Sequence, residues 1–323
     1  MLWKTIVRRL LILIPQLMLL SIVVFHLAEL MPGDALTGHF EADPHMSWEE
    51  LQRLREAVGL DRHWTIRYVE WVQGMFRLDF GRSLLTQRPV TDMIGDRIWN
   101  TFRLSLVSTI LTYMIAVPLG ILSGKYKETI LDRSIVTYTF VTMAMPTIIF
   151  AILMIWMFGF NLRWFPILGS VDPRLEAGTL AFHLSRLRHL MLPGLTGAIL
   201  GNAFMINILR DRIIDAENSD YVTTARSKGV PRRVVYNRHI LKNSALPLVA
   251  GFGGALVGLL GGSIFIERIF SFPGMGQLFV SAITTRDFPV ANALVMIYGV
   301  LIVVGILLSD LFMMMLDPRI RIR

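Results

Sequence analysis

The sequence predicts an all-α, polytopic membrane protein with six transmembrane helices and with both termini in the cytoplasm. Its 323 residues are 54% hydrophobic and only 17% charged, whereas soluble domains carry about 25% charged residues. It holds six predominantly apolar stretches, each close to the ~20 residues that a helix needs to cross a bilayer. Lys and Arg are concentrated in the segments that would share one side of that membrane.

The six stretches are separated by charged segments, and each is long enough to span a bilayer. They cover about 10–30, 102–123, 135–160, 190–209, 246–266 and 290–316. The first follows Lys4, Arg8 and Arg9, as a signal peptide would. Its apolar run is too long for a signal peptide, and no small-residue cleavage site follows it. We therefore expect a retained first transmembrane helix.

The distribution of basic residues predicts the orientation. Segments 1–9, 124–134, 210–243 and 317–323 hold 17 of the 32 Lys and Arg residues in about a fifth of the chain, and cytoplasmic segments are the ones rich in these residues. The predicted organisation is a tail with the first helix at 1–30, an external element at 31–97, and a core with five transmembrane helices at 98–317. A cytoplasmic loop at 210–245 lies within the core.

That loop has signals for a short, sharply bounded helix. Ser219 is placed as an N-cap and Asp220 lies in the first turn, where an acid is favourable. Gly229 is placed to end the helix, and Pro231 prevents it from resuming. Two interpretations of this segment are possible: a solvated basic loop, or a rigid element that docks into a cytoplasmic partner. The caps at both ends favour the docking element.

The residues of this loop resemble a family signature, the loop of importer permeases of the ATP-binding-cassette (ABC) class. The matching motif is Tyr221-Val222-x-Thr224-Ala225-Arg226-x-Lys228-Gly229. Thr223-Thr224-Ala225 stands where the general form has Glu-Ala-Ala. This departure, with Pro247 following late, is typical of the branch that contains oligopeptide, dipeptide and nickel permeases.

Three further regions follow the order of that branch, so the resemblance covers nearly the whole chain. They are Met31-Pro32-Gly33-Asp34 after the first span, Asp79-Phe80-Gly81-x-Ser83 in the external element, and the segment that runs from Phe270 through Arg286-Asp287-Phe288-Pro289. The resemblance implies a type I ABC importer permease fold in the inner or plasma membrane, with a five-helix core and one extra first helix.

The resemblance also implies partners and a coupling site. The partners would be a homologous second permease, two cytoplasmic ATPases that bind ATP and Mg, an external substrate-binding protein and the lipid bilayer. No cofactor is implied in this chain itself. The residues that would meet an ATPase are Asp220, Tyr221, Thr224, Ala225, Arg226, Lys228 and Gly229.

Small and polar residues within the spans give two further candidate sites. Gly254, Gly258 and Gly262 form a stripe at four-residue spacing, which lets helix backbones approach closely. The stripe predicts close helix packing. A more specific hypothesis, compatible with the first, is that it lines the seam between two permeases and slides there during gating. Asn202 and Asn207 in the fourth span either line a polar pathway or form hydrogen bonds between helices.

The segment after the fifth span is a candidate for the outer mouth. Its Pro-Gly pair and second Gly predict a tight turn. An ordinary external loop is one interpretation; the family resemblance favours a short element that contacts the binding protein or caps the channel. The residues concerned are Phe270, Phe272, Pro273, Gly274 and Gly276.

The sequence gives no support for catalysis in this chain. It lacks the P-loop pattern, His-Glu-x-x-His and Gly-x-Ser-x-Gly, it has no cysteine, and it shows no basic stripe with aromatics that would suggest nucleic acid. We therefore expect a transport subunit for peptides. A nickel or metal-chelate permease is the alternative, although no His/Asp/Glu cluster suggests a metal path. An ATP-independent channel and an intramembrane hydrolase are more remote.

Overall fold

The computed structural model describes residues 2–30, 47–248 and 264–316. These residues are helical apart from their connections and a single β-bridge between Arg82 and Pro89. They fall into two compact units. The first unit contains 2–30, 47–101, 264 and 273–307, and the second contains 102–248, 265–272 and 308–316.

The helices are numbered here in chain order. The N-terminal part has α1 (Leu2–Leu30), α2 (Trp48–Val58), α3 (Trp64–Phe76) and α4 (Val90–Lys125). The middle has α5 (Ile130–Ala144), α6 (Thr147–Met154, extended by the π-helical Ile155–Asn161), α7 (Leu180–Glu217) and α8 (Asp220–Ser227). A run of Arg232–Val234, π-helical Val235–Leu241 and Lys242–Ser244 is α9. Then follow α10 (Ile264–Ile269), α11 (Met275–Thr284) and α12 (Phe288–Leu316).

Within the part of the chain that the structure describes, four single helices are long and apolar enough to cross a membrane, namely α1, α4, α7 and α12. They coincide with the first, second, fourth and sixth predicted spans. The fifth predicted span lies largely outside the described residues, and so do the stripe glycines Gly254, Gly258 and Gly262.

The third predicted span is broken. The sequence predicts a transmembrane span over 135–160. In that region α5 and α6 meet at an angle of 107°, and together they are long and apolar enough either for one bent span or for a re-entrant loop. Met145 is extended, with φ −83° and ψ 122°, and Pro146 follows it. Proline lacks an N–H for the helical ladder and disfavours the helical conformation of the residue before it, which explains a break at this place.

In the first unit, a buried acid joins the motif at 79–83 to the motif at 286–289. Asp287 accepts a hydrogen bond of 2.6 Å from the Ser83 hydroxyl and one of 3.0 Å from the Leu84 backbone N–H. Asp287 is 4% exposed. The turn at 79–87 is thereby fixed to the start of α12.

In the second unit, α4 and α7 approach each other closely at glycines. A Cβ atom at Gly124 would lie 2.8 Å from Cβ of Ile213, and one at Gly120 would lie 3.0 Å from Cβ of Leu209. Among the described residues, these two glycines thus permit close packing of α4 on α7.

A candidate coupling site at the end of a long span

The candidate site is built on α8, which follows α7 after only two residues, Asn218 and Ser219. Ser219 has the extended backbone of an N-cap, with φ −82° and ψ 152°. Its hydroxyl, however, donates to the Ala216 carbonyl and makes no hydrogen bond to an N–H of α8. Ser219 is thus the N-cap residue, as predicted, but its hydroxyl satisfies a carbonyl at the end of α7 and does not cap α8.

The predicted end of α8 is confirmed. Gly229 has φ +73°, the left-handed conformation that glycine adopts at helix ends. Its N–H donates to the Arg226 carbonyl at 3.0 Å, and the N–H of Val230 donates to Ala225 at 3.3 Å. Pro231 follows directly.

The two faces of α8 differ sharply. Val222 is 0% and Ala225 is 7% exposed, and both pack in a cluster with Ile213 and Val235. Of the residues predicted to contact an ATPase, Ala225 thus faces the interior of the unit, where its small side chain lets the helix approach. The other six are exposed, namely Asp220, Tyr221, Thr224, Arg226, Lys228 and Gly229.

Contacts from α9 and α4 hold this region together. The Ser244 hydroxyl donates to the Arg212 carbonyl at 3.0 Å, and the Tyr236 hydroxyl lies 3.5 Å from the Ile121 carbonyl. Burial raises the pKa of Tyr236 to about 12, so it is neutral at physiological pH. Arg226 pairs with Glu217 at 2.9 Å, but such an exposed pair contributes little to stability.

A buried ion pair next to this site was not predicted from the sequence. Arg210 of α7 donates from Nε and Nη2 to the two carboxylate oxygens of Asp132, at 2.8 and 2.9 Å. The same carboxylate accepts from the Ser123 hydroxyl and the Glu128 backbone N–H. Because Asp132 lies in a segment assigned to a basic loop, hydropathy gives no sign that its side chain is only 3% exposed.

The two asparagines of α7 both bond to α5. Nδ2 of Asn202 donates to the Tyr138 hydroxyl at 2.8 Å, and Asn202 is 0% exposed. Oδ1 of Asn207 accepts from the Thr139 hydroxyl at 3.1 Å. This geometry favours the interhelical interpretation of the pair; pathway lining stays an untested prediction.

The candidate outer-mouth residues are mostly buried. Phe270 and Phe272 are each 1% exposed and pack in the second unit with Leu192 and Ile266. Pro273 is half-buried, and Gly274 and Gly276 are buried.

Hydrogen bonds from α4 fix the start of α11 within the first unit. Nδ2 of Asn100 donates to the Pro273 carbonyl at 2.9 Å. The N–H of Met275 donates to the Thr101 hydroxyl at 2.8 Å. The predicted contact with a binding protein stays a prediction, and the side chains that it names are largely inaccessible in this chain.

No group of three or more His, Asp or Glu residues that could hold a metal ion occurs within 2–30, 47–248 and 264–316. The candidate site is thus an exposed face of α8 that carries charges of both signs, while the inner face of the helix packs on α7 and α9.

Comparisons with known proteins agree over the whole length. Residues 116–322 match the family model described as "Binding-protein-dependent transport system inner membrane component". Residues 1–105 match its N-terminal companion.

Several relatives are similar over nearly their full length. The oligopeptide transport system permease protein AppB of Bacillus subtilis is 36% identical over 317 residues, which cover 98% of each chain. A putative peptide permease protein of Brucella suis is 33% identical and covers 97% of this chain and 98% of the relative. A probable peptide ABC transporter permease protein of Sinorhizobium fredii is 30% identical and covers 98% of each chain.

Two solved structures share the fold. A chain of the MetNI methionine ABC transporter in an inward-facing conformation superposes with a TM-score of 0.55 at 15% identity, covering 70% of this chain and 96% of that one. A chain of an amino acid ABC transporter gives a TM-score of 0.53 at 17% identity, covering 69% and 94%. At these identities the likeness concerns the fold alone.

Proposed function

This chain belongs to the family of inner-membrane components of binding-protein-dependent transport systems, and from that premise we propose that it is the permease subunit of an ATP-driven peptide importer. It forms half of the translocation pathway, and a homologous permease forms the other half. Partner ATPases hold ATP and Mg and supply the energy, and an external binding protein delivers the substrate. The names of its full-length relatives, which are peptide and oligopeptide permeases, support the choice of cargo.

One observation carries the coupling part of the proposal, namely the two-faced helix α8. Its inner face is anchored by Val222 and Ala225, so a force on its outer face moves the end of α7 rather than bending a loop. Tyr221, at 41% exposed, gives that outer face an aromatic contact, and Arg226 and Lys228 add positive charge. Exposed aromatic and arginine residues are those that anchor protein interfaces most often.

The ion pair of Arg210 and Asp132 extends this connection to a second span. It is bidentate and lies within the last two turns of α7 before α8. Displacement of α8 by an ATPase would therefore carry the start of α5 together with α7. Each ligand of the importer shifts the conformation only by binding one state more tightly than the other.

Substitutions at Gly229 test the coupling role. A Cβ atom at Gly229 would meet no heavy atom within 4 Å, so an added side chain is unfavourable through its backbone conformation and not through a clash in this chain. Valine disfavours positive φ strongly, whereas asparagine tolerates it. In the reconstituted complex, Gly229→Val should lower peptide uptake and ATP hydrolysis together, and Gly229→Asn should retain both. Uptake by Gly229→Val at the wild-type rate would show that α8 is not the coupling element.

A separate experiment tests the cargo. The complex is reconstituted with its own binding protein, and ATP-dependent uptake of labelled peptides of two to eight residues is compared with uptake of Ni²⁺ and of a nickel chelate. Peptide accumulation that requires ATP supports the proposal. Accumulation of nickel without peptide would assign the chain to the metal branch while leaving the coupling mechanism intact.

A further inference from the structure

We propose that α3, in the external element, lies within the bilayer interface and contacts the acyl chains of lipid with its outward face. This assigns a lipid-binding surface to a segment that hydropathy places wholly outside the membrane. The inference does not depend on the cargo or on the coupling role of α8; it requires only that α1 spans the membrane.

The inner face of α3 packs on α1. The Tyr68 and Ser21 hydroxyls are hydrogen-bonded at 2.8 Å. The ring of Phe25 lies 5.5 Å from that of Tyr68 and 5.4 Å from that of Trp71, between centroids. Nη2 of Arg67 lies 2.6 Å from the carboxylate of Glu29. These contacts fix α3 against the last three turns of α1.

Those contacts also fix the depth of α3. The apolar span of α1 extends from Leu11 to Leu30. Phe25 precedes Leu30 by five residues, or about 7.5 Å along the helix axis. Helices that lie in the membrane interface are buried by about 5–10 Å at the boundary of headgroups and acyl chains. A helix packed at the level of Phe25 therefore has acyl chains, and not bulk water, beside it.

The outward face of α3 has the composition that this position requires. Ile66 is 52%, Val69 51% and Phe76 87% exposed, and with Gln73 they follow one another at helical spacing on the side opposite Tyr68 and Trp71. Thr65 and Glu70, which are also exposed, flank this apolar stripe, and Glu70 pairs with Arg62 at 2.9 Å. None of the residues of α3, all of which the structure describes, is fully buried. A face with three large exposed apolar side chains is unfavourable in water and is typical of a contact surface.

This face lies beside α1, a helix that is long and apolar enough to cross a membrane. Ile22 and Leu27 of α1 are 42% and 57% exposed, as expected for a span that borders the bilayer. The aromatic side chains of Trp64 and Tyr68 and the pair of Arg67 with Glu29 lie near the end of that span, where membrane proteins concentrate aromatic and charged anchors. The packing of α3 on α1 near the end of this span argues for lipid as the occupant of the α3 face.

The 323 residues contain no cysteine, so each introduced cysteine is unique among them and a direct test is possible. Val69→Cys and Phe76→Cys place a thiol on the proposed lipid face, and Arg53→Cys on α2 is the exposed control. An affinity-tagged chain in the intact complex is reconstituted in phosphatidylethanolamine–phosphatidylglycerol vesicles. A membrane-impermeant polyethylene-glycol maleimide then shifts the mass of the labelled chain. The two lipid-face thiols should react roughly tenfold or more slowly than the control, because the reactive thiolate is excluded from hydrocarbon.

A second readout separates lipid from protein as the cause of protection. Vesicles that contain a phospholipid with a photoactivatable diazirine in its acyl chain are irradiated, and adducts on α3 are located by mass spectrometry. Protection together with adducts on 66–76 supports the proposal. Fast labelling would show that the face is in water, and protection without adducts would show that another protein covers it; either result overturns the proposal. Uptake by the same variants reports separately on the transport function.

Discussion

At the residue scale, the buried side chain of Asp287 joins two distant segments through its hydrogen bonds, and its ionisation makes the stability of the fold depend on pH. Burial raises the pKa of Asp287, while hydrogen bonds from Ser83 and the Leu84 backbone act in the opposite direction. A carboxyl whose pKa is higher in the folded than in the unfolded chain binds its proton more tightly when folded. Its ionisation therefore costs stability, and the cost grows as the pH rises from about 3.9, the pKa in an unfolded chain, to the raised value.

Ser83→Ala should enlarge that cost. Without the hydroxyl donor, the pKa of Asp287 rises further, and at neutral pH its carboxylate loses a bond worth about 1–3 kcal/mol. Thermal unfolding in detergent micelles should show a larger loss of stability at pH 8 than at pH 4, where the bond that the hydroxyl accepts from the Thr86 N–H is lost as well. In an Asp287→Asn background the pH dependence of the Ser83→Ala effect should vanish. An equal loss at both pH values would mean that the hydroxyl does not act through the charge of Asp287.

At the scale of elements, α4 offers a matched pair of glycines. Gly124 faces Ile213 of α7 at 2.8 Å, measured from a hypothetical Cβ, whereas Gly95 in the same helix would meet nothing within 4 Å. Gly124→Ala should push α4 and α7 apart and destabilise the protein by about 1–3 kcal/mol. Gly95→Ala should stabilise it by about 0.4–1 kcal/mol through a less flexible unfolded chain. Opposite shifts of the melting temperature are expected; shifts of the same sign would contradict the close approach at Gly124.

Substitutions in the ion pair that joins α5 to α7 should differ in their cost to stability, and their effects should not be additive. Arg210→Gln leaves the carboxylate of Asp132, 3% exposed, without its partner, and removal of one member of a buried pair costs about 3–5 kcal/mol. Asp132→Asn leaves a guanidinium that is 22% exposed and can reach water, so it should cost less. The double variant should be more stable than the sum of the two single losses predicts. Unfolding by denaturant in micelles measures all four proteins, and strict additivity would show that the pair is not coupled.

At the scale of the whole molecule, the sequence predicts those features that depend on neighbouring residues, namely helix ends and apolar spans. Gly229 and Pro231 end α8 through their own backbone preferences, and apolar runs of about 20 residues locate α1, α4, α7 and α12. A proline such as Pro146 within an apolar run indicates a kink, but the size of the bend depends on what packs around α5 and α6. Contacts between distant segments were not predictable: Ser83 and Asp287 are 204 residues apart, and a single sequence carries no signal for such a pairing.

The length of α7 has a mechanical consequence. Its 38 residues extend for about 57 Å along the axis, at 1.5 Å per residue, which exceeds the ~40–45 Å thickness of a bilayer with its headgroups. We therefore expect α7 to project beyond the bilayer, with α8 directly after its tip. Over about 57 Å, a tilt of only about 5° displaces that tip by about 5 Å, or close to one helical turn. On the proposed function, a small rotation of α7 within the membrane would thus be enough to move α8 by several ångströms.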